Sequence, residues 1–331
     1  MSRGRHAESF GAACALLALL CAAPAHAADK IRFSYVVPTI DYTPLLAAID
    51  QGYFAQEGIE VELIQAQGGT ATPALIAGDL DFSGSSSAAI SAILKGAKLK
   101  VLYTGEDRSA YELWARPDIN RLEDLKGQQV GVISRGDTTE ISLRYVLKQR
   151  GLPDDFVSFT PLGATAARIA ALTTGTFPAA VIDGGESTDI DALQKSGKLR
   201  MLIDMHQEVR MVLSGFATSD ALIAKNPDLV RRSMRAVFKG ITKVKAEPQA
   251  AAASMVGHGL DRGAAEFSAR ELVPRMLASG SVPREVQENE LKLRADMLGL
   301  APGKIPPPSA VFDYSFIARA AAEVKAEGWT P

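Results

Sequence analysis

Hydroxyl, carboxylate and glycine residues gather wherever an apolar run of this chain gives way to a helical pattern. Five such junctions stand out: Thr39–Thr43, Gly68–Thr72, Ser85–Ser87, Arg135–Thr139 and Asp183–Ser187. Each places polar groups beside a helix start. There the backbone has free N–H groups and a partial positive charge. Hydroxyls can donate or accept, and glycine lets a ligand approach the main chain. This is chemistry for holding a small polar molecule. The candidate ligand-binding residues are therefore Thr39, Asp41, Tyr42, Gly69, Thr70, Ser85, Ser86, Ser87, Arg135, Asp137, Thr138, Thr139 and Asp183. In GGTATPAL (68–75), Thr72 is expected as the N-cap and Pro73 as the first helical residue. Thr43, Thr72 and Asp137 each also have a purely structural reading as helix caps, and Tyr42 can stack on a planar solute or cover the site's edge.

Those residues pull the ligand's charge in two directions. Helix starts, hydroxyls and Arg135 suit a sulfonate or nitrate, and that oxyanion is the first expectation. Asp41, Asp137 and Asp183 sit at the same junctions, however. Carboxylates facing an anion in a desolvated site cost several kcal/mol. If two or more point inward, an amine-bearing heterocycle of the aminopyrimidine kind becomes the better fit, and an amino-sulfonate would satisfy both sets.

The elements that must position these residues alternate along the chain. IRFSYVV, VELIQA, DFSGS and LKVLYTG read as strands, separated by helical patterns from Thr43, Thr72 and Ser86. A second run follows: strands at YELWAR (111–116), QQVGVI, FVSFTPLG, AAVIDGG and LRMLID, with helices between them. MVLSGFATSD (211–220) reads as a return strand. Alternation of this kind implies an α/β protein with mainly parallel sheets flanked by helices. Beyond Asp220 the pattern is helical, over 227–246, 247–257, 262–279, 284–299 and 313–327. This tail is expected to pack back on the first unit. The boundaries read as a leader over 1–27, one lobe from 28–110 with 214–331, and a second lobe over 111–213.

The leader carries Arg3 and Arg5, a short apolar stretch, and a small-x-small motif at 25–27. It reads as a secretory signal peptide cut after Ala27. Lipidation at Cys21 is disfavoured by Leu20 directly before it. Both cysteines, Cys14 and Cys21, fall in the leader. The remainder has no disulfide, thiol nucleophile or cysteine metal site, and a periplasmic location is expected. With 331 residues, 22% charged and a net charge of −2, nothing points to nucleic acid or an anionic membrane as partner. Beyond the leader the histidines are His206 and His258, far apart, and no G-x-S-x-G, H-E-x-x-H, Walker or G-x-G-x-x-G motif occurs. No catalytic residue, metal or cofactor is expected.

TPLLAAIDQGYFAQEGIEVEL, QGGTATPALIAGDLDFSGSSSAAISAILKGAKLKVL, LEDLKGQQVGV, AALTTGTFPAAVID and NPDLVRRSMRAVFKGI, in this order, resemble the periplasmic substrate-binding proteins of ABC importers, of the nitrate, sulfonate, taurine and thiamine-pyrimidine-precursor type. The resemblance runs over about residues 31–246. It implies a two-lobed periplasmic binding protein fold of type II, with ligand held between the lobes at strand ends and helix N-termini. It also implies a monomer that closes on a small-molecule solute, by hinge motion at roughly 104–111 and 205–214, and docks on an ABC permease and its ATPase in the inner membrane. The competing reading is a ligand-sensing partner of a signalling receptor. A eukaryotic branch of the family makes thiamine pyrimidine with a cysteine-rich, iron-binding segment. The absence of cysteine after the leader argues against that activity here.

Overall fold

The computed structural model describes residues 28–187 and 189–331. The expected leader, with Cys14, Cys21 and the cut after Ala27, lies outside the described residues. In chain order the main elements are β1 (Asp29–Tyr35), α1 (Thr43–Asp50), β2 (Ile59–Gln65), α2 (Gly68–Ala77), β3 (Phe82–Ser83), α3 (Ser86–Leu94) and β4 (Leu99–Arg108). Then come β5 (Glu112–Ala115), β6 (Gln129–Val132), α4 (Thr138–Gln149), β7 (Ser158–Pro161), α5 (Thr165–Thr173), β8 (Ala179–Ile182), α6 (Asp189–Lys195) and β9 (Arg200–Asp204). The chain returns through β10 (Arg210–Ser219) to α7 (Pro227–Ala246), α8 (Pro248–Gly257), α9 (Arg262–Leu272), α10 (Arg284–Met297) and α11 (Ser315–Ala326).

The strands form two five-stranded sheets with matching topology, β2-β1-β3-β10-β4 and β7-β6-β8-β5-β9. In each, three parallel strands lead, an antiparallel strand follows, and a fourth parallel strand closes the edge. The antiparallel members are the crossing strands: β10 returns into the first sheet and β5 enters the second. Both sheets therefore change winding direction at their first strand, between β1 and β3 and between β6 and β8. Ligands of open α/β sheets bind outside the carboxyl ends of strands at such switch points.

Strand packing in the first sheet rests on a run of rings. Phe33 stacks on Phe82 at 5.2 Å, meets Phe216 edge-on at 5.0 Å, and Phe216 lies 4.7 Å from Tyr103. Aromatic contacts of this kind stabilise beyond the area they bury. Helix α1 forms because Thr43 donates to Ile40 O at 2.8 Å and Pro44 enters in the first turn, where proline has no N–H to lose. It buries six of its eight residues. Helix α7 crosses it at Gly240, where a Cβ would come within 2.0 Å of Pro44 O. The second sheet's core is Val130, Val132, Leu143, Leu147, Val181 and Met211, all 2% exposed or less.

Three sequence expectations need correction. Thr72 is not a cap: α2 starts at Gly68 with Gln67 as N-cap, and Pro73 lies inside the helix. The amides of Thr70 and Ala71 already bond Gln67 O, so the helix nucleates before the hydroxyls. Proline is tolerated because Gly69, four residues earlier, is exposed and water can reach its carbonyl. The helix expected over 262–279 ends at Leu272, since Pro274 cannot continue it, and Gly280 takes φ +67°. The stretch after Pro274 pairs with β4 instead, Leu277 N donating to Gly105 O and Thr104 N to Gly280 O. The tail does not pack on the first unit alone. Ser268 on α9 donates to Gly185 O at 3.1 Å, and Asp296 on α10 accepts from Lys148 at 2.6 Å, both on second-sheet elements. Among the described residues, no helix is long and apolar enough to cross a membrane.

Candidate functional site

The carboxyl ends of β1 and β3 carry the first group of candidates. Tyr42, following β1, is buried and donates to Gly84 O at 3.2 Å. Burial first, then the neighbouring Asp41 carboxylate, pushes its phenol well above the ordinary value. Asp41 and Thr39 are half-buried beside it. After β3, Ser83 Oγ accepts from Ser85 N at 3.2 Å and so bends the chain into α3. Ser85 and Ser86 are buried, and Ser85 Oγ has no hydrogen-bond partner among the described residues. Ser86 Oγ sits 3.0 Å from where a Cβ on Gly215 would fall. Ser87 is half-buried, and its carbonyl accepts from Arg294 at 2.9 Å.

The ends of β6 and β8 carry the second group. Asp137 caps α4, accepting from Thr139 Oγ1 at 2.6 Å and Glu140 N at 3.2 Å. Burial raises its carboxyl, against the lowering pull of those bonds and of the buried Arg168. Thr138 Oγ1 shares a 2.8 Å hydrogen bond with Tyr111 OH. Asp183, 6% exposed, accepts from Gly185 N at 2.9 Å and so turns the chain after β8. Beside it Glu112 accepts from Trp114 Nε1 at 2.8 Å and Gly184 N at 3.1 Å, and burial raises its carboxyl in turn.

Other candidates stand apart. Gly69 and Thr70 are exposed on the first turn of α2, and Thr70 Oγ1 donates to Gln67 O at 2.9 Å. Arg135 is exposed and folds back, with Nε 3.2 Å from Glu140 Oε2 and Nη1 donating to Phe159 O at 2.9 Å.

The crossing strands, expected as hinges at 104–111 and 205–214, join the two sheets, and their residues were not among the candidates. Tyr103, Glu106 and Tyr111 are buried along this outgoing segment, with Ser109 N donating to Val209 O at 2.9 Å between the outgoing and returning chains. Ser214, opposite, holds φ +51°. A left-handed non-glycine residue is strained and is often found at functional sites. Burial and the Asp41 charge push the Tyr103 phenol up. The Tyr111 phenol is raised by burial, then by Asp137, Asp41 and Asp183. Glu106 is 3% exposed, and its carboxyl is pushed up to about 8 by burial and Asp41. Arg275, in the turn after α9, is the cation acting on both Glu106 and Glu112. An acid next to a glycine in the otherwise apolar run LKVLYTGED was the signal available for Glu106. Nothing in the sequence marked Arg275 or Arg168.

Acids from both sheets thus act on one buried phenol. The two strand-end groups are therefore within electrostatic reach of one another, and their side chains are mainly hydroxyls, phenols and carboxylates. Such a set accepts hydrogen bonds from N–H groups and disfavours added negative charge. A hollow of about 1210 Å³ opens between α5 and α6, along Arg116, Ile169, Thr173 and Leu193. It reaches the strand-end loops only through Thr165 and Ser187, and the perturbed groups lie elsewhere. We place the site at the strand ends for that reason. Among the described residues no group of three or more His, Cys, Asp or Glu is arranged to hold a metal ion.

The model of the NMT1/THI5-like family matches residues 39–251. A curated relative, the riboflavin-binding protein RibY of Chloroflexus aurantiacus, is 28% identical over 229 residues, 67% of this chain. The match spans 63% of that relative's length. The fold resembles a putative periplasmic sulfonate-binding protein, SsuA of Methylobacillus flagellatus, with a TM-score of 0.71 at 17% identity, covering 92% of this chain and 98% of that one. It also resembles the desulfurization enzyme DszB, with a TM-score of 0.62 at 16% identity, covering 89% and 99%. At these identities the likeness shows the periplasmic binding protein fold and nothing finer.

Proposed function

The chain belongs to the NMT1/THI5-like family, and from that premise we propose that it is the periplasmic solute-binding component of an ABC importer. Residues 28–110 with 214–331 form one lobe and 111–213 the other, hinged at the crossing strands. The solute sits between Asp41, Tyr42 and Ser85–Ser87 on one side and Asp137–Thr139 and Asp183 on the other. Thr39, Gly69, Thr70 and Arg135 line the rim. The closed monomer delivers the solute to a permease and its ATPase in the inner membrane.

The solute in this reading is an N–H-bearing heterocycle, and the initial preference for an oxyanion gives way. One observation carries the choice: Asp41 from the first sheet and Asp137 and Asp183 from the second all act on Tyr111. An added anion there would meet several carboxylates in a poorly solvated space. An aminopyrimidine, or the ring system of the relative's named ligand riboflavin, presents N–H donors to those oxygens. The two histidines beyond the leader are both held by other groups of the fold. His206 Nδ1 lies 2.9 Å from Ser109 O and His258 Nε2 lies 3.2 Å from Asp50.

A thermal-shift panel on the exported chain tests this reading. Aminopyrimidines and riboflavin are expected to raise the melting temperature, by the equivalent of about 2.7 kcal/mol at a hundredfold excess over Kd. Nitrate, taurine and methanesulfonate are expected to leave it unchanged. A rise with methanesulfonate alone would overturn the choice of solute. Turnover of a bound compound would overturn the receptor role.

A further inference from the structure

Glu106 is a buried carboxyl with one oxygen that no hydrogen-bond donor among the described residues meets. It stands on β4 opposite Leu213, where the crossing strands carry a register shift, and it is 3% exposed. Its Oε2 has no hydrogen-bond partner among the described residues. The charged groups acting on it are Asp41 from the loop after β1, Asp107 beside it and Arg275 from the turn after α9, and it acts in turn on the Tyr103 phenol. Asp107 is itself taken by Arg210 at 2.8 Å. A buried oxygen left unmet costs stability, and such a group in a native protein needs a reason to persist.

We propose that Glu106 decides which solutes the site accepts, by pairing at two points with a ring nitrogen and the amino group next to it. The inference rests on the receptor reading above and names the residue that gives the site its selectivity. A neutral carboxyl offers one O–H donor and one carbonyl acceptor side by side. A ring nitrogen beside an amino group offers the complementary acceptor and donor. If the proton moves to the ring, the pair becomes a carboxylate and a protonated heterocycle with the same two contacts. This ligand edge satisfies Glu106 in either protonation state. An oxyanion can meet only the O–H and leaves the second oxygen bare.

The proton leaves a signature. Burial and the Asp41 charge hold the free carboxyl near 8. Below that pH the empty site already carries the proton, and affinity is level. Above it, binding must take up one proton, and affinity falls about tenfold per pH unit.

The test is calorimetric titration of the exported chain with 4-amino-2-methylpyrimidine, from about pH 7 to about pH 10, in two buffers of different ionisation enthalpy. The wild type is expected to show one proton taken up above about pH 8. Glu106→Gln keeps a donor and an acceptor side by side but cannot titrate. It is expected to hold its pH 7 affinity within about tenfold and to lose the alkaline fall. Glu106→Leu is expected to lose about a hundredfold or more. Survival of the alkaline fall in Glu106→Gln, or unchanged affinity in Glu106→Leu, would overturn the proposal. Should the leucine variant fold poorly, the glutamine variant decides alone. If the pyrimidine does not bind but another panel compound raises the melting temperature, this inference fails while the receptor reading stands. If nothing in the panel binds, both fail.

Discussion

Glu290 and Arg294 on α10 form an ion pair with both side chains fully buried. Glu290 Oε2 also accepts from Val212 N on β10 at 3.1 Å, and Arg294 donates to Ser87 O at 2.9 Å and Ser91 Oγ at 3.1 Å. The pair thus ties α10 to the returning strand and to the start of α3. Arg294→Met strands a buried carboxylate, and Glu290→Leu strands a buried guanidinium. Either is expected to cost about 3–5 kcal/mol. The double variant removes both charges and leaves the Val212 N–H unmet, at about 1–3 kcal/mol, while the Ser87 carbonyl keeps the Ser91 hydroxyl as donor. It should therefore lose about 1–3 kcal/mol, against the roughly 6–10 kcal/mol of simple addition. Urea unfolding at constant m-value measures all three. Additivity within about 0.5 kcal/mol would refute the reasoning, because it would mean that neither charge depends on the other.

Two further outcomes follow from the site. The raised Glu106 carboxyl keeps its proton in the fold at pH values where the unfolded chain has lost it. Stability from this group is complete below the ordinary carboxylate value of 4.5 and declines as pH rises toward about 8. Glu106→Gln should flatten that decline, by an amount on the order of a few kcal/mol, in melts followed across the interval; an identical slope in both proteins would contradict the assignment. Gly185 lies against α9, where an added Cβ would stand 2.3 Å from Leu272 Cδ2. Gly185→Ala should push the Asp183 turn off α9 and weaken solute binding about tenfold or more while shifting unfolding by less than about 2 kcal/mol, as titration and urea melts would show; undiminished affinity would mean that this contact does not set the site.

The alternation of strands and helices was legible because most strands are rich in apolar and β-branched residues and closed by a polar cluster, as the buried strands of α/β sheets demand. The return strand over 210–219 was legible for the same reason. Local propensity misled at GGTATP. Thr72 and Pro73 form a good cap signal, but the backbone already closes a turn on Gln67 O, and exposed glycine absorbs the proline. It misled again beyond Leu272, where pairing with β4 outweighed helical periodicity. Polar residues just after strands were visible as candidates because strand ends are where side chains can leave a packed sheet. Tyr103, Glu106 and Tyr111 escaped notice because they lie within or between strands, where a sequence pattern reads as core. They come into view only through the charges around them, Asp41 acting on all three and Asp137 and Asp183 on Tyr111.

The matching sheet orders bear on why the proposed site would be acidic rather than basic. Two like switch points facing one another would offer two helix starts, and with them two partial positive charges, to whatever lies between. Several of those helix-start donors are consumed internally. Asp137 accepts from the first turn of α4, Asp183 turns the chain after β8, and Ser83 accepts from Ser85 N before α3. Each carboxylate that caps its own backbone removes N–H groups that an oxyanion would need and adds negative charge in their place. The cation acting at the crossing strands, Arg275, is divided between Glu106 and Glu112. In the proposed site this leaves mainly acceptors, and the oxygens left without a partner there include Ser85 Oγ and Glu106 Oε2. In the proposed reading, selectivity comes from which strand-end groups are used up locally, while the sheet topology sets only that both groups stand at equivalent strand ends.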